Sequence, residues 1–488
     1  MPLRLSPFLL ILLLAGCVRL PSYAPPSLPT PVAWKNIADS LKTATPPAAV
    51  ASSTLPGTTA PTVDNPPAPT SWWMLFNDTG LNTLEQQATA QNFSLQAALA
   101  RVEAARANVR VANSYRSPLV TVDPQVYHSR LSALRPLPFS VAVSSAGVVQ
   151  TQYYIPINAS YEFDVWGRIR SSIRAAEADA QVQEANRRTV LLSLTADAAT
   201  YYFSIRGLDA QLLVLDTTRL DRQRSLALTR ARYQAGVDNE IAVHRAETEL
   251  ANVDASVIET HRQRLGLEAS LATVLGVPAS SFAVPAQPGP LTAPRVPTSL
   301  PADLLARRPD LQQAERRLAA ASARVDVAKL TRLPTMRLNG YLGPQSAKVG
   351  DLARVADNYT YFVGSGVSIP VFNGGRNRAN EQVARSEAEA LVADYRQAAL
   401  VAFQEVETSQ ANVRQYQAQI AARQRAYRAA RLASILTKER YRAGLTTYFE
   451  VVDADRQTLN AGTLLTQAQS NLLGASVALV RALGGGWE

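Results

Sequence analysis

The chain has 488 residues, a net charge of +10, 18 % charged residues and only 7 % aromatics. So few aromatics argue against a compact core built on large side chains, and Arg residues spread along amphipathic stretches argue against a nucleic-acid binder. A single cysteine, Cys17, excludes an intrachain disulfide framework.

Residues 1–16 read as a signal peptide: Arg4, an apolar run from Phe8 to Leu14, then Leu14-Ala15-Gly16-Cys17. The run is too short to span a bilayer as a mature helix. The small residues before Cys17 resemble a bacterial lipobox. That implies cleavage before Cys17 and acylation of the new N-terminus, palmitate included. Val18 follows where Asp is absent, which resembles the pattern sorted to the outer membrane. An ordinary signal peptide with an incidental cysteine is the alternative. From 17 to 70 the chain is dense in Pro, Ala, Thr and Ser, with Pro25-Pro26, Pro46-Pro47 and Pro66-Pro67 forbidding helix. It reads as an extended tether, with order expected from Ser71-Trp72-Trp73.

The remainder is a duplication. With an offset of 208, Gly167-Arg168 falls on Gly375-Arg376, Tyr233-x-x-Gly236 on Tyr441-x-x-Gly444 and Leu275-Gly276 on Leu483-Gly484. About a quarter of the roughly 110 ungapped positions are identical. Upstream the offset is 216, pairing Leu95-Gln96 with Leu311-Gln312 and Arg116-x-Pro118 with Arg332-x-Pro334. The indel between these registers marks a surface loop between Pro118 and Gly167. Repeat 1 covers 71–277, a Pro-rich linker 278–300, and repeat 2 covers 301–488.

Each repeat shows the same order of patterns. A helix from about Leu81 to Ser114 ends before Pro118; its partner runs from about Pro301 to Leu330 and stops before Pro334. Two strands follow, as a hairpin within about 119–166 and again within about 335–372. Residues 153–165 alternate strictly, with Tyr153, Ile157, Tyr161 and Phe163 on one face and Asn158, Ser160, Glu162 and Asp164 on the other. Their length, roughly 40 Å, suits a transmembrane strand with one lipid face and one wet face. A soluble sheet packed on one side is the alternative.

After Gly167 and Gly375 the period becomes helical. Arg168 to Tyr233 contains no proline, which predicts a helix of about 100 Å. A second helix returns from Gly236, so helical hairpins are expected at about 168–276 and 376–484. Helices so long have no core of their own and must pack as coiled coil. Four strands per chain cannot close a barrel or satisfy their edges in lipid. The strands must therefore be completed by other chains, and three copies would give twelve strands: the expected fold is an α+β membrane protein, a trimeric twelve-stranded β-barrel continued by a long α-helical coiled-coil barrel, built from two internal repeats.

Three stretches, Tyr161-Glu162-Phe163-Asp164-Val165-Trp166-Gly167-Arg168, Arg307-Arg308-Pro309-Asp310-Leu311 and Pro370-Val371-Phe372-Asn373-Gly374-Gly375-Arg376, resemble signatures of the outer membrane factors. That family holds TolC and the lipoprotein exit ducts of tripartite drug-efflux pumps; Trp72-Trp73-x-x-Phe76-x-Asp78 resembles the start of its lipoprotein branch. The resemblance implies an outer-membrane homotrimer in a Gram-negative bacterium. It extends into the periplasm, where a periplasmic adaptor (membrane fusion) protein couples it to an inner-membrane pump of RND type. It implies lipid attachment at Cys17 and adaptor contact at the turns of Tyr233, Gly236, Tyr441 and Gly444. It also implies a periplasmic gate from Phe449, Asp453 and Arg456, which share one helix face at i, i+4, i+7. Phe449 stands where Leu is expected. Ile241, Arg245 and Thr248 occupy the equivalent places in repeat 1, so Asp453 is expected to pair with Arg245 of a neighbouring helix. The alternative for each is a solvated helix face.

No enzyme, metal or cofactor is expected. His128, His244 and His261 lack metal-ligand spacing, and Asn373-Gly374-Gly375 lacks the Lys of a phosphate loop. The function expected is an exit duct for drugs or other small molecules. A type I protein-secretion duct, or a structural lipoprotein that spaces the envelope, are the alternatives.

Overall fold

The computed structural model describes residues 23–26, 34, 71–132, 148–287, 289, 291–294, 296 and 307–485. Cys17 and the signal peptide lie outside them. Two compact units divide the chain, each drawing on both repeats: Met1–Pro26, Val102–Gln183 and Ala314–Asp394 form the first, and Ser27–Arg101, Glu184–Gln313 and Tyr395–Glu488 the second. Among the described residues no helix is long and apolar enough to cross a membrane.

The first unit holds the sheet. Its strands are β1 (Leu119–Val122), β2 (Gln125–Leu131), β3 (Val148–Tyr154), β4 (Ile157–Phe163), β5 (Thr335–Ser346) and β6 (Tyr359–Ser368). β1 with β2, and β3 with β4, each form one interrupted line, so four antiparallel lines run side by side. β4 of repeat 1 pairs with β5 of repeat 2 from Ile157↔Leu342 to Phe163↔Met336. Among the described residues, the outer edges of β1–β2 and of β6 have no strand partner.

The interruption differs from the unbroken strand expected over 153–165, and its cause is proline. Asp123-Pro124, Ile155-Pro156 and Gly343-Pro344 stand at one level across three lines. The ladder there is reduced to Asp123 N–H donating to Pro156 O at 3.2 Å and Ile155 N–H to Pro344 O at 3.1 Å. Gly343 is required: a Cβ there would sit 2.1 Å from Ile155 O.

The register sorts the sheet into two faces. Val120, Val122, Ile157, Tyr161, Phe163, Leu338, Leu342, Tyr361, Val363 and Val367 share one; Thr121, Asn158, Ser160, Glu162, Arg337 and Asn339 share the other. On the apolar face Val120, Val122, Tyr361, Val363 and Val367 are exposed. The polar face also carries Tyr341 stacked on Phe362 at 5.7 Å.

The motif at 161–168 makes the strand-to-helix corner. Glu162 accepts from Arg168 Nε and Nη2 at 3.1 and 2.7 Å, and Asp164 accepts from the backbone N–H of Ile169 and Arg170, both at 2.9 Å. Gly167 adopts φ 87°, and Trp166 Nε1–H donates to Pro334 O at 2.7 Å, joining the repeats.

The longer helices are α1 (Thr79–Gln91), α2 (Phe93–Ser114), α3 (Arg168–Gln234), α4 (Glu240–Leu275), α5 (Pro309–Leu330), α6 (Arg376–Arg442) and α7 (Tyr448–Ala482). α1 and α2 are separate, where one helix is expected from Leu81. Asn92 divides them: its Oδ1 caps α2 by accepting from Leu95 N–H at 3.0 Å, and its Nδ2 makes a tertiary bond by donating to Val274 O at 2.8 Å. Its counterpart Arg308 donates to Ala482 O at 2.9 Å, the carbonyl equivalent to that of Val274. Each hairpin thus ends on a side chain from the start of its repeat's short helix.

The second unit has matching cores. In repeat 1, Leu95, Leu194, Ala198, Leu271 and Leu275 cluster with Trp72; in repeat 2, Leu311, Ala402, Val406, Leu479 and Leu483 occupy the equivalent positions and cluster with Trp34. Trp34 is 1 % exposed, so a fixed side chain precedes the order expected from Ser71.

Candidate functional site

The candidate site lies where both long hairpins turn, entirely within the second unit. α3 stops at Gly236 (φ 70°) and α6 at Gly444 (φ 73°), and Val237 and Leu445 N–H reach back to Arg232 and Arg440 O at 2.9 and 2.8 Å. The four predicted contact residues of these turns are not alike. Tyr233 is exposed, whereas Tyr441 is buried. Tyr441 Oη donates to Asp238 Oδ2 at 2.5 Å, its ring lies under Arg232 at 4.7 Å, and Tyr448 packs on it at 5.6 Å. Burial first, then the bond to the Asp238 carboxylate, pushes the Tyr441 hydroxyl up to about 12. The exposed apolar residues at the tips come in repeat pairs: Val237 with Leu445 and Ile241 with Phe449.

Of the four gate candidates, two meet each other: Arg245 lies over the Phe449 ring at 5.2 Å. Asp453 is exposed and accepts from Gln457 Nε2 at 2.9 Å on its own helix. Among the described residues of one chain Asp453 and Arg245 form no ion pair; Arg245 lies over the Phe449 ring instead. Arg456 binds Glu249 Oε1 through Nε at 2.9 Å and through Nη2, which raises the affinity of its guanidinium for protons.

The charge that sequence reading missed lies behind that face. Arg222 of α3, 1 % exposed, reaches Asp455 Oδ2 at 3.2 Å and Glu249 Oε2 at 3.4 Å. Lys438 of α6 holds Asp455 Oδ1 at 2.9 Å and Asp221 at 3.7 Å, and Ser434 Oγ–H donates to Asp455 at 2.5 Å. Arg222, Lys438 and Arg456 balance Asp221, Glu249 and Asp455, and the set joins all four helices. The repeat held the signal. Arg230–Glu247, the equivalents of Lys438–Asp455, form a 2.7 Å ion pair in repeat 1. That pair is half-exposed, while its copy is built into the packing between hairpins.

Residues 84–277 and 300–485 match the family model described as outer membrane efflux protein. The pyoverdine export outer membrane protein OpmQ of Pseudomonas putida is 33 % identical over 86 % of this chain and 88 % of its own length. The solvent efflux pump outer membrane protein SrpC of Pseudomonas putida is 29 % identical over 100 % of this chain and 99 % of its own. Among solved structures, the outer-membrane channel OprN superposes with a TM-score of 0.82 at 29 % identity, covering 96 % of this chain and 100 % of that one. The chain belongs to the outer membrane efflux protein family and is an outer-membrane exit duct of an efflux system.

Proposed function

We propose that three copies of this chain close a twelve-stranded barrel, anchored by lipid on Cys17, and pass small molecules delivered by an inner-membrane pump through a periplasmic adaptor. One observation carries this reading: a four-line sheet with one exposed apolar face, one polar face and two unpaired edges. In hydrocarbon each unpaired backbone group costs several kcal/mol, so the edges need neighbouring copies. The polar face, with Glu162, Arg337 and Asn339, then lines a wet lumen. The relatives that export pyoverdine and solvents support small-molecule cargo over secreted protein. A periplasmic gate formed by Phe449, Asp453, Arg456 and Arg245 and adaptor contact at Tyr233, Gly236 and Gly444 complete the reading. Tyr441 acts inside the tip.

Light scattering of the detergent-solubilised protein, followed by planar-bilayer conductance, tests it. A mass of three chains and a stable pore are expected. A stable monomer that carries no ions overturns the reading.

A further inference from the structure

A tryptophan at the start of repeat 1 and another that precedes both repeats fill two duplicated pockets. Trp72 sits in the core of repeat 1, where its Nε1–H donates to Thr195 Oγ1 at 3.2 Å. The residue equivalent to Thr195 is Phe403, and Trp34 meets it edge-on at 6.2 Å with 61° between the rings. The pocket walls otherwise match: Leu311, Val406 and Leu483 stand for Leu95, Ala198 and Leu275. Ala402, at the place of Leu194, leaves room for the second indole. Gly and Ala-sized walls opposite a large ring are how cores reach crystalline density.

We infer that the repeat 2 pocket is a docking site for the chain's own N-terminal stretch, with Trp34 as the plug that latches it to the helical body. Trp72 is carried into its pocket by the short helical turn of 72–76, immediately before α1. Trp34 lies 38 residues before the start of that turn at Trp72 and belongs to no duplicated element. It therefore acts as a separate ligand, tethered to its site. A vacant pocket would expose the facing leucines and Phe403 or collapse around them, so the latch completes the core of repeat 2. The latch also sets the anchor's reach. Trp34 comes seventeen positions after Cys17, so the lipid lies at most about 60 Å of chain from the pocket; this consequence alone rests on the lipid-anchor reading.

Trypsin digestion of the purified full-length protein reads the latch at Lys35, the next residue. Cleavage at Lys35 is expected to be at least about tenfold slower in the native protein than in a free peptide spanning 23–45, because a plugged neighbour must release first. Equal rates overturn the inference, and this arm needs no variant. In Trp34→Ala the protection disappears and the melting temperature falls. Millimolar indole then raises the melting temperature of Trp34→Ala but not that of the native protein. A Trp34→Ala protein that melts like the native one, or gains nothing from indole, removes the plug. Protection at Lys35 persists in Cys17→Ala; its loss there would assign the protection to the anchor instead of the pocket.

Discussion

Tyr441 of repeat 2 donates its hydroxyl to Asp238 of repeat 1 at 2.5 Å, so the turn of one hairpin is tied to the turn of the other. The tie is one-sided. Tyr233, the equivalent tyrosine, remains exposed, since a duplicated motif cannot bury both copies in one asymmetric contact. Tyr441→Phe removes a hydrogen bond to a charged acceptor, worth about 1.5–3 kcal/mol, and leaves Asp238 to Arg232. Faster amide exchange at 236–240 and 444–447 is the expected outcome, with little change in the sheet. Tyr233→Phe is expected to change neither.

Arg222 is the pivot of the buried charge set, and its Nε has no hydrogen-bond partner. Replacing it by Met leaves Glu249 and Asp455 with one fewer compensating charge. Removing one partner from a buried pair costs about 3–5 kcal/mol. A lowered melting temperature is expected, and combining Arg222→Met with Asp455→Asn, which leaves Arg456 with Glu249 and Lys438 with Asp221, should recover much of the loss. If the double variant is no better than the single one, the loss comes from packing and not from uncompensated charge.

How much of this was legible beforehand follows from periodicity. The long helices and strand faces were readable because repeating patterns of 3.6 and 2 persist over many residues. The breaks were not. Asn92 looks like any polar helix residue until Val274 O is opposite it, and Pro156 interrupts a perfect alternation without disturbing the order of faces. The gate candidates came from the family resemblance, with Phe449, Asp453 and Arg456 on one face of α7 and Arg245 at the place in repeat 1 equivalent to Asp453. Asp455, two residues along, points the other way, and its partners lie 233 and 17 residues away at Arg222 and Lys438. Only comparison of Arg230–Glu247 with Lys438–Asp455 would have revealed that pair.

Glu85 of α1 is fully buried, and among the described residues neither carboxylate oxygen has a hydrogen-bond partner. Burial alone pushes its carboxyl from 4.5 up to about 9, so at neutral pH the folded chain carries it as the neutral acid. The unfolded chain ionises it near the ordinary value. Between those two values the folded state binds the extra proton, so the contribution of Glu85 to stability is fully present below pH 4.5 and is lost as pH rises towards 9. The slope is about 1.4 kcal/mol per pH unit for one such group. Melting temperatures measured from pH 5 to 9 should decline more steeply for the native protein than for Glu85→Gln. Parallel curves would show that Glu85 is not the group responsible.

The gate reading makes the sharpest demand on the tips. Within one chain Asp453 is exposed and bonded only to Gln457, while Arg456 spends its guanidinium on Glu249. On the gate reading Asp453 meets its cation on another copy, and Arg245, which among the described residues lies against the Phe449 ring, is the candidate cation. Asp453→Ala is then expected to raise the open probability of the pore in planar bilayers. Arg245→Ala should do the same, and the double variant should add little to either, as partners in one interaction do. Arg456→Ala should act differently, by loosening Glu249 and lowering the melting temperature. Unchanged conductance in both Asp453→Ala and Arg245→Ala would place the constriction elsewhere. Additive effects would mean that two separate contacts restrain the tip.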